Sequence, residues 1–164
     1  MITKTINLYE YSELSDKAKA KALADWNEDN NDPFMQSHMI NVLKEKLEDR
    51  GIKYDTDSID VRYSLANCQG DGFMFEGIIT WRGKDITIKH ASNMYFHSKT
   101  ASFVYEDLTD AQFRKFEAVY ESICKEMERI GYAHIEYITS AESFCEACEA
   151  NEYTFRENGT MENA

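Results

Sequence analysis

The sequence predicts an α+β fold: an antiparallel β-meander of about four to five strands with helices packed on one face, formed as a single domain over residues 1–164. Three observations predict it. Between Ile59 and His90 apolar residues alternate with polar ones on either side of two glycine-bearing turns, the pattern of half-buried strands. Their apolar sets are Ile59, Val61, Tyr63 and Leu65, then Phe73, Phe75, Ile79 and Trp81, then Ile86 and Ile88, and they can share one face. Finally, Phe113, Phe116, Tyr120, Ile123, Met127 and Ile130 recur at spacings of three and four, a helical stripe able to cover that face.

In chain order, Ile2, Ile6 and Leu8 alternate over the first eight positions and predict a short strand. Ser15 is a good N-cap for a helix of strong formers, Lys17-Ala-Lys-Ala-Lys-Ala22, whose Ala18, Ala22 and Trp26 lie on one stripe. Asn27 to Asp32 is a polar connection. Asp32-Pro33 then reads as a cap followed by a first-turn proline, opening a helix from about Pro33 to Arg50 with Met39, Ile40, Leu43 and Leu47 inward. Gly51 is placed to end it in the left-handed conformation.

Phase constrains the hairpins. The apolar sets before and after Gln69-Gly-Asp-Gly72 share a face only if the loop is odd, so a three-residue Gly70-Asp71-Gly72 loop is expected, pairing Val61 with Trp81, Tyr63 with Ile79 and Leu65 with Gly77. A two-residue Gly83-Lys84 turn of type II′ then sets Trp81 opposite Ile86, Ile79 opposite Ile88 and Gly77 opposite His90. Arg62, Ser64, Glu76, Thr80, Thr87 and Lys89 fall on the other face. Met94 to Tyr105 holds one or two further strands of open register. Thr109 and Gln112 form a capping box for the long helix, expected to stop near Gly131. A last helix spans about Ser140 to Ala150, Glu152 to Phe155 makes a terminal strand, and 157–164 fray.

A formal charge of −12, from 18 basic against 30 acidic residues, excludes direct binding to nucleic-acid phosphates or an anionic membrane as the main activity. The excess is uneven: from Glu106 onward 14 acidic and five basic residues give −9. No leader pattern and no span-length apolar run is present, so the expected location is the cytoplasm of the cell in which the protein is made, with Cys68, Cys124, Cys145 and Cys148 as thiols.

Signatures of catalysis are missing: there is no Walker lysine loop, Gly-x-Gly-x-x-Gly, Gly-x-Ser-x-Gly or His-Glu-x-x-His. No catalytic residue, cofactor or metal site is assigned. Asn27/Asp29/Asn31 and Asp55/Asp57 lack the glycine and glutamate of a calcium loop and read as turns. Cys145-x-x-Cys148 is half of a zinc site within a helix that would bury Cys148 anyway. The candidate binding residues are Asn67, Gln69, Gly70, Asp71 and Gly72 at the hairpin tip, where glycines bare the backbone amides, together with Tyr63 and His90 on the apolar sheet face. For the tip the alternative is a turn chosen for geometry. For His90 it is a hydrogen-bonded core histidine.

Tyr9-Glu-Tyr-Ser-Glu-Leu-Ser-Asp-Lys-Ala-Lys-Ala-Lys-Ala22, Ile59-Asp-Val-Arg-Tyr-Ser-Leu65, Gln69-Gly-Asp-Gly72, Phe75-Glu-Gly77, Tyr137-Ile-Thr-Ser-Ala-Glu142, Glu149-Ala-Asn-Glu-Tyr153 and Phe155 resemble, in that order, an uncharacterised family of phage and prophage accessory proteins, some of them labelled antitoxins. The resemblance covers roughly a third of the chain and implies an accessory protein of a phage or mobile element. On that footing the expected function is a binding protein that inhibits or modulates a host protein, an anti-defence factor among the options, by contact through an acidic surface. The alternatives are a small-ligand or nucleotide binder or hydrolase using the sheet surface around Tyr63, Gly77 and His90, and an antitoxin neutralising a toxin encoded nearby.

Overall fold

The computed structural model describes residues 5–29, 32–91 and 95–162. In chain order the elements are α1 (Asp16–Asp29), α2 (Met35–Asp49), β1 (Lys53–Tyr54), β2 (Asp60–Ser64), β3 (Gly72–Trp81), β4 (Lys84–His90), β5 (Ala101–Val104), α3 (Asp110–Ile138) and α4 (Ala141–Ala150). Short 3₁₀ turns occupy Tyr11–Glu13 and Ser98–Thr100. The fold is α+β, with an open antiparallel sheet of five strands. The contacts gather into two compact units: a central one, Pro33–Ala133, and a terminal one formed by Met1–Asp32 with His134–Ala164. Each has its own core.

The central unit is the sheet, ordered β1-β3-β4-β5, with β2 also pairing β3. The face assignment made from phase holds, since Val61, Phe73, Phe75, Ile79, Trp81, Ile86 and Ile88 all lie in one core with Met39, Leu43 and Leu47 of α2 and Phe116, Tyr120, Ile123 and Met127 of α3. The partners differ. Val61 lies opposite Phe75 and Tyr63 opposite Phe73, so the β2–β3 loop runs from Leu65 to Asp71, seven residues instead of three. At the second turn Trp81 lies opposite Lys84, Ile79 opposite Ile86 and Gly77 opposite Ile88. Its central residues are Arg82 and Gly83, both at positive φ (51° and 77°), the type I′ pattern and not II′. Each shift is an even number of residues, which is why the faces survived it.

β3 changes partners at Gly77, the point where φ reaches 144°. Its first half pairs β2 and its second half pairs β4. A Cβ at Gly77 would lie 2.7 Å from Ile59 Cδ1 and 3.1 Å from the Ser58 carbonyl oxygen, so only glycine admits this crossing. Two side chains fill the gap where β3 leaves β4. The Tyr120 hydroxyl donates to the Phe75 carbonyl (3.0 Å) and accepts from the Phe75 amide (3.3 Å), and Glu76 Oε1 accepts the His90 amide at 2.8 Å. Glu76 also pairs with Arg62.

The start of α2 and the end of α3 differ from expectation. α2 begins at Met35 behind Phe34, with no side-chain cap; Asp32 and Pro33 precede it. Gly51, at φ 65°, does end α2 as expected. α3 starts with the expected box, in which Thr109 N–H donates to Gln112 Oε1 (3.0 Å) and Gln112 N–H to Thr109 Oγ1 (3.3 Å). It then runs through Gly131 to Ile138. Gly131 is buried in mid-helix, and a Cβ there would collide with Leu65 and lie 3.2 Å from Met39 Cε, so it serves close packing and not termination. From the stretch Met94 to Tyr105 comes the single strand β5, with Met94 itself outside the described residues; Ile88 pairs with Phe103 and His90 with Ala101.

In the terminal unit α1 and α4 enclose Leu14, Ala18, Ala22, Phe144, Cys148 and Phe155. The Ser140 hydroxyl caps α4, accepting from Ser143 N–H at 3.1 Å. α1 continues to Asp29, beyond the expected connection at Asn27, and Asn27 Nδ2 donates to the Thr139 carbonyl at 3.0 Å. Residues 5–8 form no strand, with Ile6 and Leu8 exposed; Ile2 lies outside the described residues. The expected 152–155 strand reduces to bridges from Phe155 to Tyr9 and Met161. Residues 157–162, expected to fray, turn back: Arg156 N–H donates to the Thr160 carbonyl at 2.8 Å, and Gly159 is buried against the backbone of Ala18.

Candidate functional site

The loop joining β2 to β3 is built around one carboxylate. Asp71 Oδ1 accepts from the Ser64 hydroxyl (2.9 Å) and the Cys68 thiol (3.3 Å), while Oδ2 accepts from the amides of Ala66 (2.8 Å) and Cys68 (3.0 Å) and from the Tyr132 hydroxyl of α3. These donors, Tyr132 foremost and against the opposing effect of burial, hold the Asp71 carboxyl well below the usual carboxylate range. The same contact raises the phenol of Tyr132, and the Asp71 bond raises the Cys68 thiol. Asp71 is therefore an ionised internal anchor with its lone pairs engaged, suited to shaping the loop and not to acid–base work on a ligand.

Around that anchor Asn67, at φ 57°, and Gln69 are exposed at the bend. Gly70, at φ 98°, lies under the ring of Tyr95, where a Cβ would be 2.7 Å from Cε1. Gly72 is buried against His97, 2.6 Å from that Cβ to its own would-be Cβ. His90 is half-buried; its Nε2 lies 2.8 Å from the Tyr95 carbonyl oxygen and its ring 5.2 Å from that of Phe96. It thus reaches the loop through the 95–97 segment and not across from Gly77. Tyr63 stacks on Phe73, with centroids 6.4 Å apart and planes at 5°. Ile59 fills the sheet face at Gly77, where a ligand surface was expected. The structure brings together the tip residues and His90, and leaves Tyr63 as a packing residue at the end of the strand.

Tyr132 and Tyr95 complete this cluster, and neither was singled out in the sequence. Tyr132 lies one residue beyond the glycine expected to end α3, so its helical spacing went uncounted.

A second feature is electrostatic. Residues 1–32 and 134–164, the terminal unit, hold 14 acidic and five basic residues, a net −9, which leaves −3 on the central unit. On α4 the carboxylates of Glu142, Glu146 and Glu149 are exposed, with Glu136 on the preceding helical turn, and Glu146 accepts from the Tyr137 hydroxyl at 2.8 Å. A cleft of about 600 Å³ opens in the same unit, lined by Glu10, Tyr11, Glu149, Glu152 and Tyr153 with Cys145 and Cys148. Burial and the nearby carboxylate of Glu149 raise the thiol of Cys145 and push that of Cys148 up to about 11, so both are protonated, weakly nucleophilic thiols at neutral pH.

Among the described residues no group of three or more His, Cys, Asp and Glu side chains is placed to hold a metal ion, and no helix is long and apolar enough to cross a membrane. The chain matches no family model, no curated protein and no solved structure.

Proposed function

We propose that this protein is a binding protein that engages a basic protein surface through its terminal unit and inhibits or modulates that partner. The observation that carries the reading is the partition of charge: 63 of the 164 residues hold −9 of the net −12, and the exposed turns of α4 present carboxylates in a row. Such a surface accelerates encounter with a cationic partner and disfavours phosphate-bearing ones. The hairpin tip fits a supporting part, because its one carboxylate is spent on holding the loop.

The resemblance to phage accessory proteins directs the search to host defence and nucleic-acid-handling proteins, whose basic surfaces ordinarily meet phosphates, and to a toxin encoded beside the gene. The test is affinity capture with the wild-type chain and with E142K/E146K/E149K. The expected result is a stoichiometric partner that is released as salt rises from 50 to 500 mM, about the range over which the Debye length shrinks severalfold, and that the triple variant does not retain. A partner held equally by both proteins at all salt concentrations refutes the electrostatic reading.

A further inference from the structure

The central unit carries a cleft of about 540 Å³ lined by the end of α2, the β3–β4 turn and α3. Arg50, Ile52, Trp81, Arg82, Val119 and Ser122 form it, two arginines and no carboxylate, in a chain with 30 acidic residues. A space of this size suits a small metabolite.

The residue at the mouth is unusual for its place. Arg82 is the first central residue of the type I′ turn, at φ 51°, where Gly, Asn or Asp is the ordinary choice because Gly has no Cβ to crowd the carbonyl and the short polar side chains of Asn and Asp bond locally. Arginine does nothing for the turn. Its guanidinium carbon instead sits 4.7 Å from the centroid of the Trp81 ring, which fixes the fork at the rim of the cleft. Arg50 stands in the same lining at the end of α2, with Nη2 2.6 Å from Glu126 Oε2 and Nη1 donating to the Lys46 carbonyl at 3.1 Å. Glu126 is shared with Lys46, whose Nζ lies 3.1 Å from Oε1. Lys46 and Arg50 thus share Glu126, while Arg50 and Arg82 stand in one lining that contains no carboxylate.

We propose that this cleft binds a small molecule carrying a phosphoryl group on an apolar or aromatic body. Arg82 and Arg50 donate to the phosphoryl oxygens, a pairing for which the planar guanidinium is suited. The Ser122 hydroxyl supplies a further donor, and Ile52 and Val119 contact the body of the ligand. The site uses no residue of the terminal unit, so it stands or falls independently of the partner surface proposed above.

The test titrates the full chain, followed by calorimetry and by amide NMR shifts, with adenosine monophosphate, with inorganic phosphate and with adenosine. Arg82→Asn is the informative variant, because asparagine tolerates the left-handed turn position and removes only the guanidinium. Saturable binding of the nucleotide is expected, with free phosphate at least about tenfold weaker, no response to adenosine, and a Kd about tenfold higher in R82N, the loss of one charge-assisted pair. The shifts should map to residues 50–52, 81–83 and 118–122. No saturable response to the nucleotide at millimolar concentration, equal binding of adenosine, phosphate binding as tightly as the nucleotide, or an unchanged Kd in a folded R82N overturns the assignment.

Discussion

Replacing Tyr120 by Phe removes one oxygen atom and leaves the ring in its place against Phe75 and Phe103, with centroids at 4.7 and 5.1 Å. That oxygen serves both the amide and the carbonyl of Phe75 where β3 has parted from β4, and the side chain is only 1% exposed, so water does not substitute for it. A buried backbone group left unpaired costs roughly 1–3 kcal/mol, and two are orphaned at once; against this stands the smaller gain of no longer burying a hydroxyl. The expected loss is about 2–4 kcal/mol, equivalent to a fall in Tm of about 5–15 °C for a chain of this length. Urea unfolding followed by circular dichroism measures it, with the slope m unchanged because the surface exposed on unfolding is the same. A loss below about 0.5 kcal/mol at constant m would show that the hydroxyl does not stand in for a strand, and the account of how the sheet divides at Gly77 would have to be abandoned.

Three further outcomes follow from the structure. Gly159→Ala places a methyl group into the backbone of Ala18 at a residue with φ 85°, and should cost at least about 2 kcal/mol from strain and overpacking together, read as a lower urea midpoint. Asp71 titrates below its unfolded value near 4, so its contribution to stability is complete above that pH and is lost as pH falls through the range beneath it. The urea midpoint of the wild type should therefore drop between about pH 4 and 2 more steeply than that of Asp71→Asn, and parallel curves would show that the carboxylate anchors nothing. Thiol labelling at pH 7.5 should modify Cys68 first, since it is exposed, and spare Cys124 and Cys148, which are buried with thiols pushed up to about 12 and about 11. Rapid labelling of all four in the folded protein would contradict the packing of both cores.

Phase was the most legible property of the sequence. Val61, Tyr63, Ile79 and Ile88 share a face because the pleat has a period of two, and the covering helix was visible in the stripe from Phe113 to Ile130. Register was not legible, because the loop geometry depends on contacts remote in sequence: the Asp71 carboxylate gathers donors from residues 64 to 68 and from Tyr132, which stabilises a seven-residue loop over the shorter one that the glycines allow. Glycine misled twice for a related reason. Gly131 looks like a helix stop, yet its missing side chain makes room for Leu65 and Met39, and Gly83 takes the second place in its turn because Arg82 occupies the first. Of the candidate site, the tip residues were found from local composition, whereas the aromatic residues that clasp them, Tyr95 and Tyr132, and the cleft lined by Arg50, Trp81 and Arg82 are assembled only by the fold.

The terminal unit is assembled from two segments remote in sequence, residues 1–32 and 134–164, while the central one is continuous between them. On a ribosome this imposes a sequence of events: everything from Pro33 to Ala133 has been synthesised before Phe144 and Phe155 exist to cover Ala18 and Ala22. The more acidic unit is thus the last to be completed, and a chain cut short after α3 would lack the aromatic side chains that its own first helix needs.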